Sequence, residues 1–314
     1  MGDMNKTARK ISFLKVCNVT LLICCIFNIL AVASAHTRLI VDQTGEKINV
    51  PGRPERVLSL APSLTEMVFS LRAERTLIGA TRYSNFPPAA KELPRVGSYI
   101  QLDLERIVAV KPDLCLAIKD GNPRHTVDAI KALGIPVFAI DPRSFEQILE
   151  AFILLGNVLR ESEQAEELVS DMKQRLGLVR EKVASSEYRP TVFFQIADTP
   201  IVSAGKNSYI DKLITLAGGR NLAGDMKDYP RYSWENIILM QPEVVLLSSM
   251  KGGRSTELLK APWQRWPEIP AVREGRLHVV DADLFNRPTA RLIRGLEIMF
   301  ETLHPEFSGE SGAK

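Results

Sequence analysis

Histidine, the side chain most often used for proton transfer and metal binding, is rare in this chain of 314 residues. The four histidines are His36, His125, His278 and His304, and no two of them stand at a spacing typical of a metal site. The sequence also lacks a Gly-x-Ser-x-Gly elbow, a phosphate-binding loop and a His-Glu-x-x-His helix. We therefore predict a protein that is not an enzyme, with no catalytic residues and no metal ligands.

Cysteine chemistry is not expected either. Cys17, Cys24 and Cys25 lie in the N-terminal segment, so the remainder of the chain holds only Cys115 and can form no internal disulfide. Cys115 stands in the apolar run from Leu114 to Ile118. We predict that it is a small buried hydrophobic residue rather than a nucleophile.

The first 35 residues have the features of a secretory signal peptide. Basic residues precede an uncharged apolar stretch from Val16 to Val32, and Ala33-Ser34-Ala35 then supplies the small residues that a signal peptidase reads. We predict cleavage before His36 and a periplasmic location. The alternative is an uncleaved membrane anchor, because the apolar stretch is near the lower length limit of a spanning helix.

The charges are balanced and mixed along the chain. It carries 40 basic and 37 acidic residues, for a net charge of +3. Basic residues form no run and are not interleaved with aromatic side chains. We therefore predict no nucleic-acid partner.

The apolar pattern alternates between the periods of strands and helices. Ser63 and Glu66 fit a capping box that would open a helix reaching about Ala73. Strands alternating with short helices predict parallel βαβ units. The strands predicted in the first half are 57–60, 77–80, 114–118 and 137–140, and the other helices are 102–110 and 125–133.

From Ser144 to about Ser185 the pattern is helical, with a possible bend near Gly156. Alternation then resumes, and residues 235–244 repeat the pattern of residues 105–114. We predict an α/β fold of two similar lobes with parallel-rich central sheets flanked by helices, joined by a long connecting helix, with a ligand cleft between the lobes. The predicted boundaries are 1–35 signal peptide, 36–143 N-terminal lobe, 144–187 helical connector, 188–307 C-terminal lobe and 308–314 disordered tail.

Several motifs together resemble the helical-backbone (class III) periplasmic substrate-binding proteins of ABC importers, and within that class the vitamin B12-binding members. The resemblance is carried by residues 58–66, 83–88, 104–114 and 121–122. It implies a monomeric receptor without a cofactor of its own that binds cobalamin or a related corrinoid. It also implies delivery to a permease homodimer with cytoplasmic ATPase subunits. A ferric siderophore or haem is the alternative ligand.

The resemblance assigns permease docking to Glu105 and Glu235, one on each lobe. Two carboxylates at equivalent positions of a repeat suit a partner with two-fold symmetry. The alternative is that each acid simply favours the N-terminus of its helix.

The resemblance also implies a set of ligand contacts. Tyr83, Asp283 and Arg287 match residues that line the cleft of the cobalamin-binding members. Tyr99, Ile118 and Tyr229 stand where those members have tryptophans, and Ile196 stands at a phenylalanine position. The smaller aromatic surface widens the expected cargo to corrinoid-like chelates. For a siderophore Arg82, Arg231 and Arg287 would be the basic residues, and for haem Tyr83 would be the axial ligand.

Overall fold

The computed structural model describes residues 37–248 and 255–307. The predicted signal peptide and the predicted C-terminal tail lie outside the described residues. No helix in the described ranges is long and apolar enough to cross a membrane.

The first half of the described chain alternates strands and helices as predicted. Strands 114–118 and 137–140 are confirmed to the residue, and Gly134 ends the preceding helix with a left-handed φ of 79°. The strands are β1 (Thr37–Val41), β2 (Lys47–Pro51), β3 (Val57–Ser59), β4 (Leu77–Gly79), β5 (Gly97–Ser98), β6 (Gln101–Leu102), β7 (Leu114–Ile118) and β8 (Val137–Ile140). The helices are α1 (Pro62–Ser70), α2 (Leu104–Ala109), α3 (Arg124–Ala132), α4 (Phe145–Leu159) and α5 (Ser162–Ser185).

The predicted capping box at Ser63 and Glu66 is wrong. Helix α1 begins at Pro62, and its N-cap residue Ala61 offers no side-chain hydrogen bond. Proline suits this position because its missing N–H would have had no partner in the helix. Glu66 does not reach back to the helix start, because it is 2% exposed and binds two arginines from the other half of the chain.

The predicted helical connector is a hairpin of two helices rather than one bent helix. The chain breaks at Arg160, which has a left-handed φ of 64°, and not at Gly156. Gly156 instead lets the two helices approach, because a Cβ atom there would lie 2.4 Å from the Cβ of Ala165. Helix α5 then runs for 24 residues, about 36 Å.

The second half contains a second sheet and more irregular segments. Its strands are β9 (Thr191–Asp198), β10 (Ile201–Ser203), β11 (Arg220–Asn221), β12 (Arg231–Tyr232), β13 (Val244–Leu247) and β14 (Leu277–Val279). Its helices are α6 (Tyr209–Leu216), α7 (Trp234–Met240), α8 (Thr256–Lys260), α9 (Pro270–Arg273), α10 (Ala282–Phe285) and α11 (Leu292–Leu303). The sequence patterns did not predict β10 to β12 or α8 to α10.

Each lobe is built on one sheet. The first sheet has the order β4-β3-β7-β8, and all of its pairs are parallel. The second sheet has the order β12-β10-β9-β13-β14, with β11 beside β9. Its β9, β11, β13 and β14 pairs are parallel, whereas β10 is antiparallel to both of its neighbours. The fold is therefore α/β with two parallel-rich lobes.

Helix α5 packs against both lobes and is the connecting helix. Its apolar residues lie three and four apart, as expected for one buried stripe. It contacts the other connector helix, α4, as well as α6 and α11 of the second lobe, and its Glu167 contacts Arg72 of the first lobe. Arg175 of α5 makes two hydrogen bonds to Glu297 of α11, at 2.8 and 2.9 Å. The main apolar cluster is continuous from one lobe to the other, and a smaller cluster covers the outer face of each sheet.

The structure confirms the internal repeat down to backbone detail. Lys111 and Gln241 follow the two repeated helices and have left-handed φ angles of 48° and 49°. Asp113 accepts hydrogen bonds from two backbone N–H groups beside the start of β3. Glu243 accepts from one backbone N–H and one hydroxyl, both of Thr191, the first residue of β9. Each acid thus fastens its lobe's repeated helix to the neighbouring strand.

Candidate functional site

The candidate site lies where loops of the two lobes meet. Tyr83 follows β4, and Asp120 follows the buried strand β7, so both lie beyond carboxyl ends of parallel strands. Tyr229 precedes β12, and Arg287 follows α10 in the second lobe. The predicted ligand residues Tyr83, Tyr229 and Arg287 therefore come from loops of both lobes, as a cleft site requires.

A cluster of four charged side chains and one amide joins the lobes at one side of this cleft. We call Glu66, Asn85, Asp283, Arg287 and Arg291 the interlobe cluster. Glu66 and Asn85 belong to the first lobe, and the other three residues belong to the second. The two predicted ligand residues Asp283 and Arg287 are indeed brought together, with 2.7 Å between their side chains.

Arg287 is held by protein groups on both of its terminal nitrogens. Its Nη1 donates to Glu66 Oε1 at 2.6 Å and to Asn85 Oδ1 at 2.9 Å. Its Nη2 contacts Asp283 Oδ1 at 2.7 Å and donates to the carbonyl of Tyr83 at 3.3 Å. Three hydrogen bonds and one ion pair therefore hold the guanidinium group, and the side chain orders the cleft wall in this arrangement.

Arg291, the N-cap residue of α11, completes the cluster. Its Nε donates to Glu66 Oε2, and its Nη2 donates to Glu66 Oε1, both at 2.9 Å. Its guanidinium lies 3.8 Å from the centre of the Phe86 ring, which is the geometry of a cation–π contact. Burial raises the pKa of Glu66, and the hydrogen bonds and charges of the two arginines act in the opposite sense.

A second contact between the lobes joins Tyr229 and Asp120. The Tyr229 hydroxyl donates to Asp120 Oδ2 at 3.2 Å, and Arg143 contacts the same oxygen at 3.2 Å. Burial raises the pKa of Tyr229 well above its usual range, and the negative charge of Asp120 adds to the shift. The hydroxyl therefore remains a hydrogen-bond donor at neutral pH.

Tyr99 is held near the same group of residues. Asn122 donates to the carbonyl of Tyr99 and to that of Leu60, both at 2.8 Å, and so ties two loops to the end of the first sheet. Burial raises the pKa of Tyr99, and the nearby Tyr83 adds to the shift, whereas Arg287 opposes it. Tyr83 itself is 52% exposed, so its side chain is accessible to a ligand.

Ile118 and Ile196 belong to the main apolar cluster and are only 8% and 7% exposed. Ile118 ends β7 beside Gly121, where a Cβ atom would lie 3.3 Å from both Ile118 and the Tyr99 ring. Such buried side chains offer little surface to a ligand. In a binding site these two side chains would form the apolar base beneath the ligand.

The two predicted docking glutamates lie at equivalent surface positions. Glu105 is in the first turn of α2, which Asp103 caps, and Glu235 is in the first turn of α7, which Ser233 caps. Hydrogen bonds from the Ser233 side chain and from the helix backbone lower the pKa of Glu235. The structure places both carboxylates at exposed helix N-termini, a position that satisfies the docking hypothesis and the helix-dipole alternative alike.

Sequence reasoning missed five residues of the site: Glu66, Asn85, Asp120, Tyr209 and Arg291. Glu66 had a detectable signal, because it is the only charged residue in a nine-residue helix that is otherwise mostly apolar. Tyr209 begins α6 and is buried. Burial is the main cause that raises the pKa of Tyr209, and the neighbouring Tyr229 adds to the shift. Within residues 37–248 and 255–307, no group of three or more His, Cys, Asp or Glu side chains could hold a metal ion.

Comparisons with known proteins agree with this architecture. The family model described as periplasmic binding protein matches residues 57–284. A vitamin B12-binding protein of Yersinia pestis is 30% identical over 240 residues, which cover 76% of this chain and 82% of the relative.

Solved structures show the same likeness. The periplasmic vitamin B12 binding protein of Vibrio cholerae superimposes with a TM-score of 0.71 at 27% identity, over 82% of this chain and 98% of that chain. A periplasmic heme binding protein of Pseudomonas aeruginosa gives a TM-score of 0.74 at 27% identity, over 80% of this chain and 93% of that chain. Because the family model covers most of the chain, this protein belongs to the periplasmic binding protein family.

Proposed function

We propose that this chain is the exported receptor of an ABC importer and that it binds cobalamin or a related corrinoid as its cargo. The observation that supports the proposal is that tyrosines of both lobes lie near the contact between the lobes. Tyr83 and Tyr99 come from the first lobe and Tyr229 from the second. Tyrosine rings provide a large rigid apolar surface together with a hydroxyl, which suits a flat macrocycle with polar edges.

The charge balance of the interlobe cluster favours a cargo without strong negative charge. Two carboxylates, Glu66 and Asp283, offset the two guanidinium groups of Arg287 and Arg291. An anionic ligand would have to displace one of these carboxylates before it could use an arginine. A ligand that is recognised by shape and apolar contact would leave these ion pairs intact.

The family membership and the vitamin B12-binding relatives support delivery of the cargo to a membrane permease. We infer that a monomeric receptor in the periplasm docks on a permease homodimer coupled to cytoplasmic ATPase subunits. Glu105 and Glu235 would contact one permease subunit each. Both lie at exposed helix starts of the internal repeat, so a two-fold symmetric partner could receive both.

Haem or a ferric siderophore is the second candidate cargo. The exposed ring of Tyr83 favours haem, because a phenolate oxygen can bind the iron. Arg82 and Arg231 are exposed and could serve the carboxylates of either ligand. The similarity to the Pseudomonas aeruginosa heme binding protein supports this alternative.

Titration of the purified receptor separates these cargoes. Isothermal calorimetry with cyanocobalamin and with cobinamide should give heat at micromolar concentrations, and its absence would remove corrinoids as the cargo. Absorbance after addition of haemin tests the alternative. Tyr83→Phe keeps the aromatic face and removes the hydroxyl, so it should preserve corrinoid binding but abolish haem ligation by Tyr83. Tyr83→Ala removes the face and should weaken corrinoid binding about 10-fold.

A further inference from the structure

The two predicted docking helices expose apolar side chains beside their glutamates. Val108 is 46% exposed and lies three residues after Glu105, on the same side of α2. Leu239 lies four residues after Glu235 and is 82% exposed, the largest value of any large apolar side chain in the described ranges. Each helix packs against its lobe through one buried isoleucine, Ile107 in α2 and Ile237 in α7.

The two apolar faces differ in shape. In the repeat, Leu239 stands at the position of Ala109. The first lobe has a shallow, open hollow lined by Leu104, Glu105, Val108 and Ala109. On the second lobe a leucine side chain projects from the corresponding position of α7.

Single exposed apolar residues are common on protein surfaces and need no explanation of their own. Here the repeat places an exposed apolar side chain beside a carboxylate on both lobes. Pairing of these faces between two copies of this chain is disfavoured, because it would bring like carboxylates together. The fitting partner combines a cationic group with an adjacent apolar surface.

We propose that the permease completes its contact with each glutamate by an apolar contact, and that the two contacts have opposite shapes. On the second lobe Leu239 inserts between apolar side chains of one permease subunit. On the first lobe the hollow beside Ala109 receives an apolar side chain of the other subunit. This inference rests on the proposed function, since it assumes that the chain docks on a permease.

The experiment measures the affinity of the purified receptor for the native host's permease, reconstituted in proteoliposomes with its ATPase subunits. Leu239→Ser should weaken binding about 10-fold or more, because a leucine that becomes fully buried contributes that much. Ala109→Leu fills the hollow and should also weaken binding, although it adds apolar surface. Leu178→Ser is the matched control, because Leu178 is 54% exposed on the connecting helix α5. Its affinity should equal that of the unchanged receptor.

The possible results separate this inference from the proposed function. Unchanged affinity in Leu239→Ser and Ala109→Leu, with weak binding in Glu105→Ala and Glu235→Ala, would show that the carboxylates dock alone and would overturn the inference. Tighter binding by Ala109→Leu would overturn the inference that the two contacts have opposite shapes. Failure of the unchanged receptor to bind the permease would overturn the proposed function itself. Thermal melting of each variant checks that the fold is retained.

Discussion

Replacing Glu66 with glutamine should destabilise the protein strongly, although the change preserves the size of the side chain. The Glu66 carboxylate is 2% exposed and lies within 2.6 to 2.9 Å of nitrogens of Arg287 and Arg291. A glutamine oxygen can still accept hydrogen bonds, but its NH₂ group would face another N–H donor. Both guanidinium groups would also lose their shared negative partner.

Removing one partner of a buried ion pair costs about 3 to 5 kcal/mol, because it leaves an uncompensated buried charge. We expect the lower end, about 3 kcal/mol, because Arg287 keeps Asp283 at 2.7 Å. At about 2 to 4 °C of melting temperature per kcal/mol for a chain of this size, the shift is roughly 6 to 12 °C. Circular dichroism during heating measures it.

Glu167→Gln provides the matched control. Glu167 contacts Arg72 at 3.7 Å, but the two side chains are 70% and 71% exposed. Loss of such a surface pair costs less than about 1 kcal/mol. If Glu66→Gln melted at the same temperature as Glu167→Gln, the interlobe cluster would not stabilise the fold, and the reasoning from its burial and hydrogen bonds would be refuted.

Three further predictions concern other parts of the molecule. Burial raises the pKa of Cys115 to about 12, so iodoacetamide should leave this thiol unmodified at pH 8 in the native protein and alkylate it in urea, as mass spectrometry would show. Gly156→Ala should cost about 1 to 3 kcal/mol in urea unfolding because of the close approach of Ala165, whereas Gly177→Ala, with nothing within 4 Å, should be neutral or stabilising. Hydrogen bonding to Arg175 lowers the pKa of Glu297, so its contribution is present above the unfolded-state pKa of glutamate, about 4.3, and is lost as the pH falls through the lower native value. A Glu297→Gln variant should therefore lose less stability than the unchanged protein between pH 5 and pH 3, and an identical loss would contradict this assignment.

The strands of both lobes were accessible to sequence reasoning because they are short, continuous apolar runs. Residues 114–118 and 244–247 are buried along their whole length, as central strands of parallel sheets must be. The short strand β12 and the four-residue helix α9 carry no comparable pattern. Their positions depend on the sheet and loops around them rather than on local sequence.

The charged part of the site could not be predicted, because its contacts join residues that are far apart in the chain. Glu66 and Arg287 are separated by 221 residues. Locally, Ser63 and Glu66 have the spacing of a capping box. Glu66 instead pairs with two arginines of the second lobe, which the local sequence does not indicate. The positions of Tyr83, Tyr99 and Tyr229 came from the family resemblance, and their roles as ligand contacts remain predictions.

The internal repeat shows which features a duplicated lobe must keep. Lys111 and Gln241 share a left-handed backbone, and Asp113 and Glu243 both fasten a neighbouring strand, because each lobe needs the same turn between helix and sheet. Backbone geometry determines these positions, and because the fold has two similar lobes, the same turn is needed once in each lobe. The solvent-facing position held by Ala109 in one lobe and Leu239 in the other has no such requirement. This position is therefore free to differ between the lobes, so the two proposed docking contacts can have different shapes while the helices that carry them remain alike.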